Sequence, residues 1–498
     1  MEIGTIISLS AYFLVMLGIG LYAFKTTSED SSGYLLGGRQ LGPAVTALSA
    51  GASDMSGWMV MGLPGAMYLT GLSNIWIGLG LIAGAYINYL VVAPRLRAYT
   101  ELANDSITLP EFFENRFEDK TRLLRIVSSI VIIVFFTVYT SSGVVGGGKL
   151  FESSFGLSYE LGLYVTAGVV VIYTLFGGFL AVSMTDFVQG CIMFVALVLV
   201  PVVILIDFGG YSAISQTITD LSSTHMDLVA GTTTLGIISS LAWGLGYFGQ
   251  PHIIVRFMAI RSLKDLKTAR RIGMSWMIVA LIGAMATGFF GFAYAAKTGI
   301  QIEDAETVFI VLSQVLFHPL VGGFMLAAIL AAIMSTVSSQ LLVTSSSLTE
   351  DVYKAFIKKD ASEKQLVFMG RICVVLVALI AIGMAYNRDS SILNIVANAW
   401  AGFGAAFGPL IVLGLYWKRM TFAGALSGIV VGASTVLIWI YAPLTIGGES
   451  LGKVIYEIVP GFVFSTLAIV AVSLLGKPPS NAMKEMFDVM VRRVKEES

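Results

Sequence analysis

Hydrophobic residues in this chain come in long runs, with neither the alternation of a half-buried strand nor the one-sided spacing of a surface helix. Almost charge-free windows occupy residues 126–148, 161–185, 187–206, 229–251, 272–296, 372–387, 389–417, 420–448 and 458–476. Earlier runs cover 4–24, 41–70 (interrupted by Asp54) and 72–94. A membrane-spanning helix needs about 20 mostly apolar residues, so each run predicts one span. The stretch 307–349 is too long for one. His318-Pro319 divides it, because proline disfavours helix at the residue before it. A short surface helix is expected before that point and a long span after it, which makes 13 spans.

The basic residues test this count. Lys and Arg gather in cytoplasmic loops. With the N-terminus outside, the inside segments hold 26 of the 30 Lys and Arg, leaving Lys149, Lys297, Arg388 and Lys453 outside. The C-terminal tail, 477–498, then lies in the cytoplasm. The first run has neither a basic leader nor a small-residue cleavage site and reads as a retained helix.

Composition agrees: 56% of the 498 residues are hydrophobic and 12% charged, where soluble domains are nearer a quarter charged. The expected class is an all-α integral membrane protein with one transport domain over 1–498. A net charge of −1 leaves no basic excess for nucleic acid. Cys191 and Cys373 lie in apolar runs and read as buried small hydrophobes. No phosphate-binding loop, zinc-protease motif or nucleophile elbow occurs. An enzyme is not expected, no organic cofactor is implied, and no obligatory protein partner is evident. A transporter or a channel in a lipid bilayer remains.

Several segments break the rules of a plain span. Residues 48–58, Leu-Ser-Ala-Gly-Ala-Ser-Asp-Met-Ser-Gly-Trp, put a carboxylate and small polar residues at mid-membrane depth. Such a carboxylate is costly and usually functional, although Asp54 could instead bond a neighbouring helix. Gly51, Gly57, Gly62 and Pro64 predict a broken helix. Its freed carbonyls suit a hard cation, and the following half-helix N-terminus suits an anion. Residues 243–252, Trp-Gly-Leu-Gly-Tyr-Phe-Gly-Gln-Pro-His, predict a second interruption. There Trp243 and Tyr247 share a face, to wall a solute or simply to fill the core. Ala332, Ser335 and Thr336 lie on one helical face and offer oxygen ligands, or the hydroxyls bond back to their own helix. Asp186 is placed at the cytoplasmic start of a span, as a cap or on an ion pathway. Tyr139 is a mid-span hydroxyl. Arg256 to Arg271 read as a solvated cytoplasmic loop.

Residues 47–58, 176–183 (Phe-Gly-Gly-Phe-Leu-Ala-Val-Ser), 243–252 and 399–409 (Ala-Trp-Ala-Gly-Phe-Gly-Ala-Ala-Phe-Gly-Pro) resemble signatures of the sodium/solute symporter family. The resemblance runs from about residue 34 to 476 and is nearest the branch that takes up proline. It implies a LeuT-type core of five plus five helices in inverted repeat, over 41–208 and 233–417. One extra helix precedes that core (4–24) and two follow it (420–476). It further implies sodium-coupled uptake of L-proline across the bacterial cytoplasmic (inner) membrane. Sodium would be held by the carbonyls of Ala52, Met55 and Ala332 and the hydroxyls of Ser335 and Thr336. Asp54 and Asp186 would serve sodium coupling, and Ser56, Trp58, Tyr139, Trp243, Tyr247 and Pro251 would bind proline. The alternatives are a sodium symporter for another solute, such as pantothenate, a sugar or a carboxylate, or else a cation channel.

Overall fold

A computed structural model describes residues 2–26 and 30–497; for Phe24, Thr26, Ser31, Phe176 and Gly177 it describes the backbone alone. Apart from one two-stranded hairpin, Thr445–Ile446 with Glu449–Ser450, all regular structure among the described residues is helical. The principal helices are α1 (Ile3–Thr26), α2 (Pro43–Asp54), α3 (Leu63–Thr70), α4 (Ile75–Val91), α5 (Ala93–Leu102), α6 (Leu123–Phe155), α7 (Tyr159–Asp207) and α8 (Thr234–Leu241). They continue with α9 (Pro251–Ala259), α10 (Asp265–Thr298), α11 (Pro319–Ser346), α12 (Glu363–Met384), α13 (Ile392–Tyr416), α14 (Phe422–Tyr441), α15 (Ile458–Leu475) and α16 (Asn481–Glu497).

Among the described residues, ten continuous helical stretches are long and apolar enough to cross a membrane. The 13 runs expected from sequence exceed that number for identifiable reasons. The run 41–70 is not one helix: α2 stops at Asp54, and a wide π-type turn at Trp58–Gly62 leads into α3. The run 229–251 is also divided, with α8 followed by a tight 3-10 segment at Ala242–Gly249 and then α9. Both interruptions fall where glycine and proline crowd an apolar run. The surface helix expected before His318-Pro319 is Val308–Val315. The run 420–448 is too long as read: its helix ends at Tyr441, and Gly447 and Gly448 turn the hairpin.

Runs 161–185 and 187–206 meet in the wrong place. Their helices join at Gly178 (φ 55°, ψ −150°), eight residues before Asp186. That backbone conformation is essentially restricted to glycine. Asp186 therefore does not cap a helix N-terminus; it lies inside the second half of α7, fully buried. A second correction concerns Arg256. It is not in a solvated loop but within α9, with no exposed surface. Cys373 is buried as expected, whereas Cys191 is exposed on the helix surface.

Side chains on the outer faces, such as Leu376, Leu379, Ile380 and Leu475, are exposed and apolar. With no water to drive helices together in lipid, close packing of small residues does so. Gly80 and Gly84 of α4 meet the backbone of Leu241 and Gly244 so closely that a Cβ on either would overlap a carbonyl oxygen. This contact seats the 3-10 segment, and with it Trp243 and Tyr247, against the core. At the basic end of the molecule, which carries Arg97, Arg116 and Arg493, α5 and α16 pack together: Phe487 packs edge-on to Tyr99, and Arg493 pairs with Glu101 at 2.5 Å.

Candidate functional site

The break after Asp54 and the middle of α11 face each other. Ser335 Oγ donates to the Ala52 carbonyl at 2.7 Å and lies 3.2 Å from the Ala332 carbonyl. Thr336 Oγ1 lies 3.5 Å and 3.3 Å from the same two oxygens. Four of the five expected sodium ligands thus converge, all buried. The hydroxyls do bond back to Ala332 one turn earlier, and they also cross to Ala52. An array of uncharged oxygens, with no soft ligand, fits a hard monovalent cation. Met55, the fifth, has left the helix (φ −84°, ψ 80°) at the residue after α2.

Beyond the break the chain turns sharply. Trp58 Nε1 donates to the Asp54 carbonyl at 2.9 Å, and Tyr139 Oη from α6 approaches the same oxygen at 3.5 Å. Ser56 Oγ accepts from the Trp58 N–H at 3.4 Å. The Trp58 ring lies 6.3 Å from Trp243, which stacks at 5.4 Å on Tyr456. Trp400 meets Tyr247 edge-on at 5.1 Å and donates from Nε1 to the Trp243 carbonyl at 2.8 Å. Ser56, Trp58, Tyr139, Trp243 and Tyr247 are therefore brought together around the break, all buried. Pro251 opens α9 and lines a separate cavity of about 20 Å³ with Leu35, Thr108 and Ile132. Trp400 and Tyr456 belong to the aromatic group although their roles were not read from the sequence. An aromatic residue in an apolar run looks like any other core residue until its neighbours are known.

Asp54 is 2% exposed. Tyr247 Oη donates to its Oδ2, so the expected bond to a neighbouring helix exists, while Oδ1 has no hydrogen-bond partner among the described residues. Asp54 lines a cavity of about 20 Å³ with Asn88, Tyr89, Met274 and Met277. Asp186 stands on the other side of the oxygen cluster, towards the basic end. Its Oδ2 accepts from Ser49 at 2.7 Å, Arg256 at 3.2 Å and Ser339 at 3.5 Å. Arg256 also donates to Ser49 (3.0 Å), Ser339 (2.6 Å) and the His252 carbonyl (2.6 Å). Ser49 precedes Ala52 by three residues and Ser339 follows Ser335 by four. The ion pair therefore clamps the same two helices one turn away from the oxygen cluster. Arg256 is the residue that sequence reasoning missed, because arginine at the end of an apolar run reads as a loop charge.

A cavity of about 800 Å³ opens at the opposite end, against Gly62, Gly65, Lys149, Asp304, Glu306 and Arg388. Lys149 bridges Asp304 at 2.8 Å and Glu306 at 2.9 Å. Glu306 also accepts from the Ile392 and Leu393 N–H groups, both at 3.1 Å, and so caps α13.

The sodium:solute symporter family model matches residues 34–432. The chain belongs to the sodium:solute symporter family. It is 58% identical to the "Osmoregulated proline transporter OpuE" of Bacillus subtilis (strain 168), over 99% of both chains. It is 56% identical to "Sodium/proline symporter 2" of Staphylococcus saprophyticus, over 99% of this chain and 97% of the relative. The "Sodium/proline symporter" of Staphylococcus aureus (strain JH9) is 57% identical over 95% and 93%. Among solved structures, the substrate-bound outward-open state of a Na+-coupled sialic acid symporter aligns with a TM-score of 0.81. That alignment covers 96% of this chain and 99% of the other at 21% identity. The inward-facing Mhp1 transporter aligns at 0.53 and 13% identity, over 90% and 94%. These two likenesses establish the fold, that of the LeuT-type symporters. The chain is a multi-pass membrane transporter and not an enzyme.

Proposed function

We propose that this protein is a secondary transporter that couples sodium entry to uptake of L-proline by alternating access. The observation that carries the reading is the oxygen cluster of Ala52, Ala332, Ser335 and Thr336, joined through one break in the chain to a buried aromatic group. Sodium binds at that cluster together with the Met55 carbonyl. Asp54 and Asp186 serve coupling from either side of it. Proline sits against Ser56, Trp58, Tyr139, Trp243 and Tyr247, while Pro251, at the start of α9, sets the end of the second interruption. The substrate's carboxylate suits the start of the helical segment after the break, its ammonium suits freed carbonyls, and its ring suits the aromatic faces.

The two interrupted helices belong to inverted repeats at 41–208 and 233–417, followed by two helices within 420–476. The N-terminus lies outside, and the basic end, with the 477–498 tail, lies in the cytoplasm. Sodium drives transport by ordering the break, since a ligand that favours neither state shifts nothing. One charge crossing about 100 mV releases about 2.3 kcal/mol, and a tenfold sodium gradient adds about 1.4 kcal/mol. Together these sustain an accumulation of several hundredfold for one ion per proline.

The test is uptake of labelled L-proline into proteoliposomes with and without an inward sodium gradient. Concentrative uptake that disappears without sodium is the expected result. Sodium binding without proline uptake would move the assignment to another solute. A sodium current at channel rates without substrate would reject coupling.

A further inference from the structure

We infer that Tyr173 is a positioning residue for the cation site, and that α1, which stands outside the ten-helix core, holds it in place. This rests on the sodium site assigned above. Tyr173 Oη, in the first half of α7, donates to the Met334 carbonyl of α11 at 2.9 Å. Met334 lies between Ala332 and the Ser335-Thr336 pair, so the bond lands on the turn that carries three of the oxygen ligands. The ring is 1% exposed. In an α-helix the carbonyl of Met334 already faces the N–H four residues on. The Tyr173 bond is therefore additional to the helix and ties this turn to α7.

A plainer account is that a buried tyrosine hydroxyl takes whatever acceptor is near. Three features favour positioning. The Met334 side chain is held as well, with Tyr12 Oη of α1 at 3.5 Å from its Sδ. Tyr12 in turn accepts from Gln189 Nε2 of α7 at 2.8 Å. Finally, α1 is bolted along α11: Thr5 Oγ1 donates to the Pro319 carbonyl at 3.2 Å and Ser8 Oγ to the Leu320 carbonyl at 2.6 Å. The sodium-bearing turn is thus gripped on its side chain and its backbone by α1 and α7, neither of which supplies a ligand to the site. A backbone carbonyl displaced by a few tenths of an ångström spoils a site built from uncharged oxygens, because no charged ligand compensates.

The experiment compares wild type, Tyr173→Phe and Thr174→Val as purified protein. Equilibrium binding of radioactive sodium and sodium-driven proline uptake are both measured. Tyr173→Phe keeps the ring and removes the bond. Thr174→Val removes a neighbouring buried hydroxyl that has no hydrogen-bond partner among the described residues. The expected result is an about fivefold weaker sodium affinity in Tyr173→Phe, the worth of one buried hydrogen bond. Proline half-saturation and maximal rate at saturating sodium should stay within about twofold, and Thr174→Val should match wild type. Unchanged sodium affinity in Tyr173→Phe overturns the inference. So does an equal loss for sodium and proline, or an equal effect of Thr174→Val, since each marks general loosening. A wild-type protein that binds sodium but ignores proline defeats only the substrate assignment; one that binds no sodium defeats both.

Discussion

Asp54 and Asp186 are both buried carboxylates, yet their surroundings differ. Asp186 is neutralised by Arg256 and bonded by two serines, whereas among the described residues only Tyr247 donates to the Asp54 carboxylate. Removing one partner of a buried ion pair leaves an uncompensated charge and costs about 3–5 kcal/mol. Arg256→Met should therefore lower thermal stability sharply in detergent. The double variant Arg256→Met/Asp186→Asn should recover part of the loss, and a double variant no better than the single would reject the pairing as the cause. Asp54→Asn nearly preserves shape and removes the charge beside the oxygen cluster. Apparent sodium affinity should fall at least about tenfold, or 1.4 kcal/mol, with little change in melting temperature. Uptake and sodium affinity at wild-type levels would remove Asp54 from the coupling scheme.

At the scale of elements, breaks matter more than helices. The break at Gly178 has a backbone that side chains do not adopt, and a Cβ there would lie 2.7 Å from the Tyr34 carbonyl oxygen. Gly178→Ala should destabilise the protein by about 1–3 kcal/mol, read as a lowered melting temperature; an unchanged value would mean the kink relaxes freely. The last element, α16, is held by weaker forces. Burial raises the Glu101 carboxyl, but hydrogen bonds and charge from Arg97, and then from Arg493, outweigh it and leave it below the ordinary glutamate range. A carboxylate lowered on folding contributes its stability above its unfolded pKa and loses it as the pH falls through the folded value. Docking of α16 should thus be complete at neutral pH and weaken in acid. A part-exposed pair is worth about 0.5 kcal/mol, so Arg493→Ala should raise amide exchange in 481–497 about twofold at neutral pH. Exchange equal to wild type would show that Met483, Phe487 and Met490 hold the helix alone.

At the scale of the whole molecule, the ends differ in kind. One carries a cavity of about 800 Å³ lined by Lys149, Asp304, Glu306 and Arg388; towards the other lie the buried Asp186–Arg256 pair and the paired helices α5 and α16. Alternating access requires that only one end admit solute at a time, and the aromatic group around Trp58 is buried from both.

Much of this was determined by sequence alone. An apolar run of spanning length has one low-energy form in lipid, so the helices around 4–24, 126–148 and 458–476 follow from composition. The two interruptions follow from glycine and proline at 51–64 and 243–252, because these residues act on their own backbone. The convergence of Ala52, Ala332, Ser335 and Thr336 was legible through the family's motifs. What only the tertiary structure decided were relations between distant residues. Asp186 looked like a cap until the kink at Gly178 moved the helix start eight residues earlier. Arg256 looked solvated until α9 folded inward against Asp186. Trp400, Tyr456 and Tyr173 acquire meaning from partners 150 or more residues away in sequence. Local backbone preference is written in neighbouring residues, whereas the environment of a charge or a hydroxyl is set by whatever the packing brings to it.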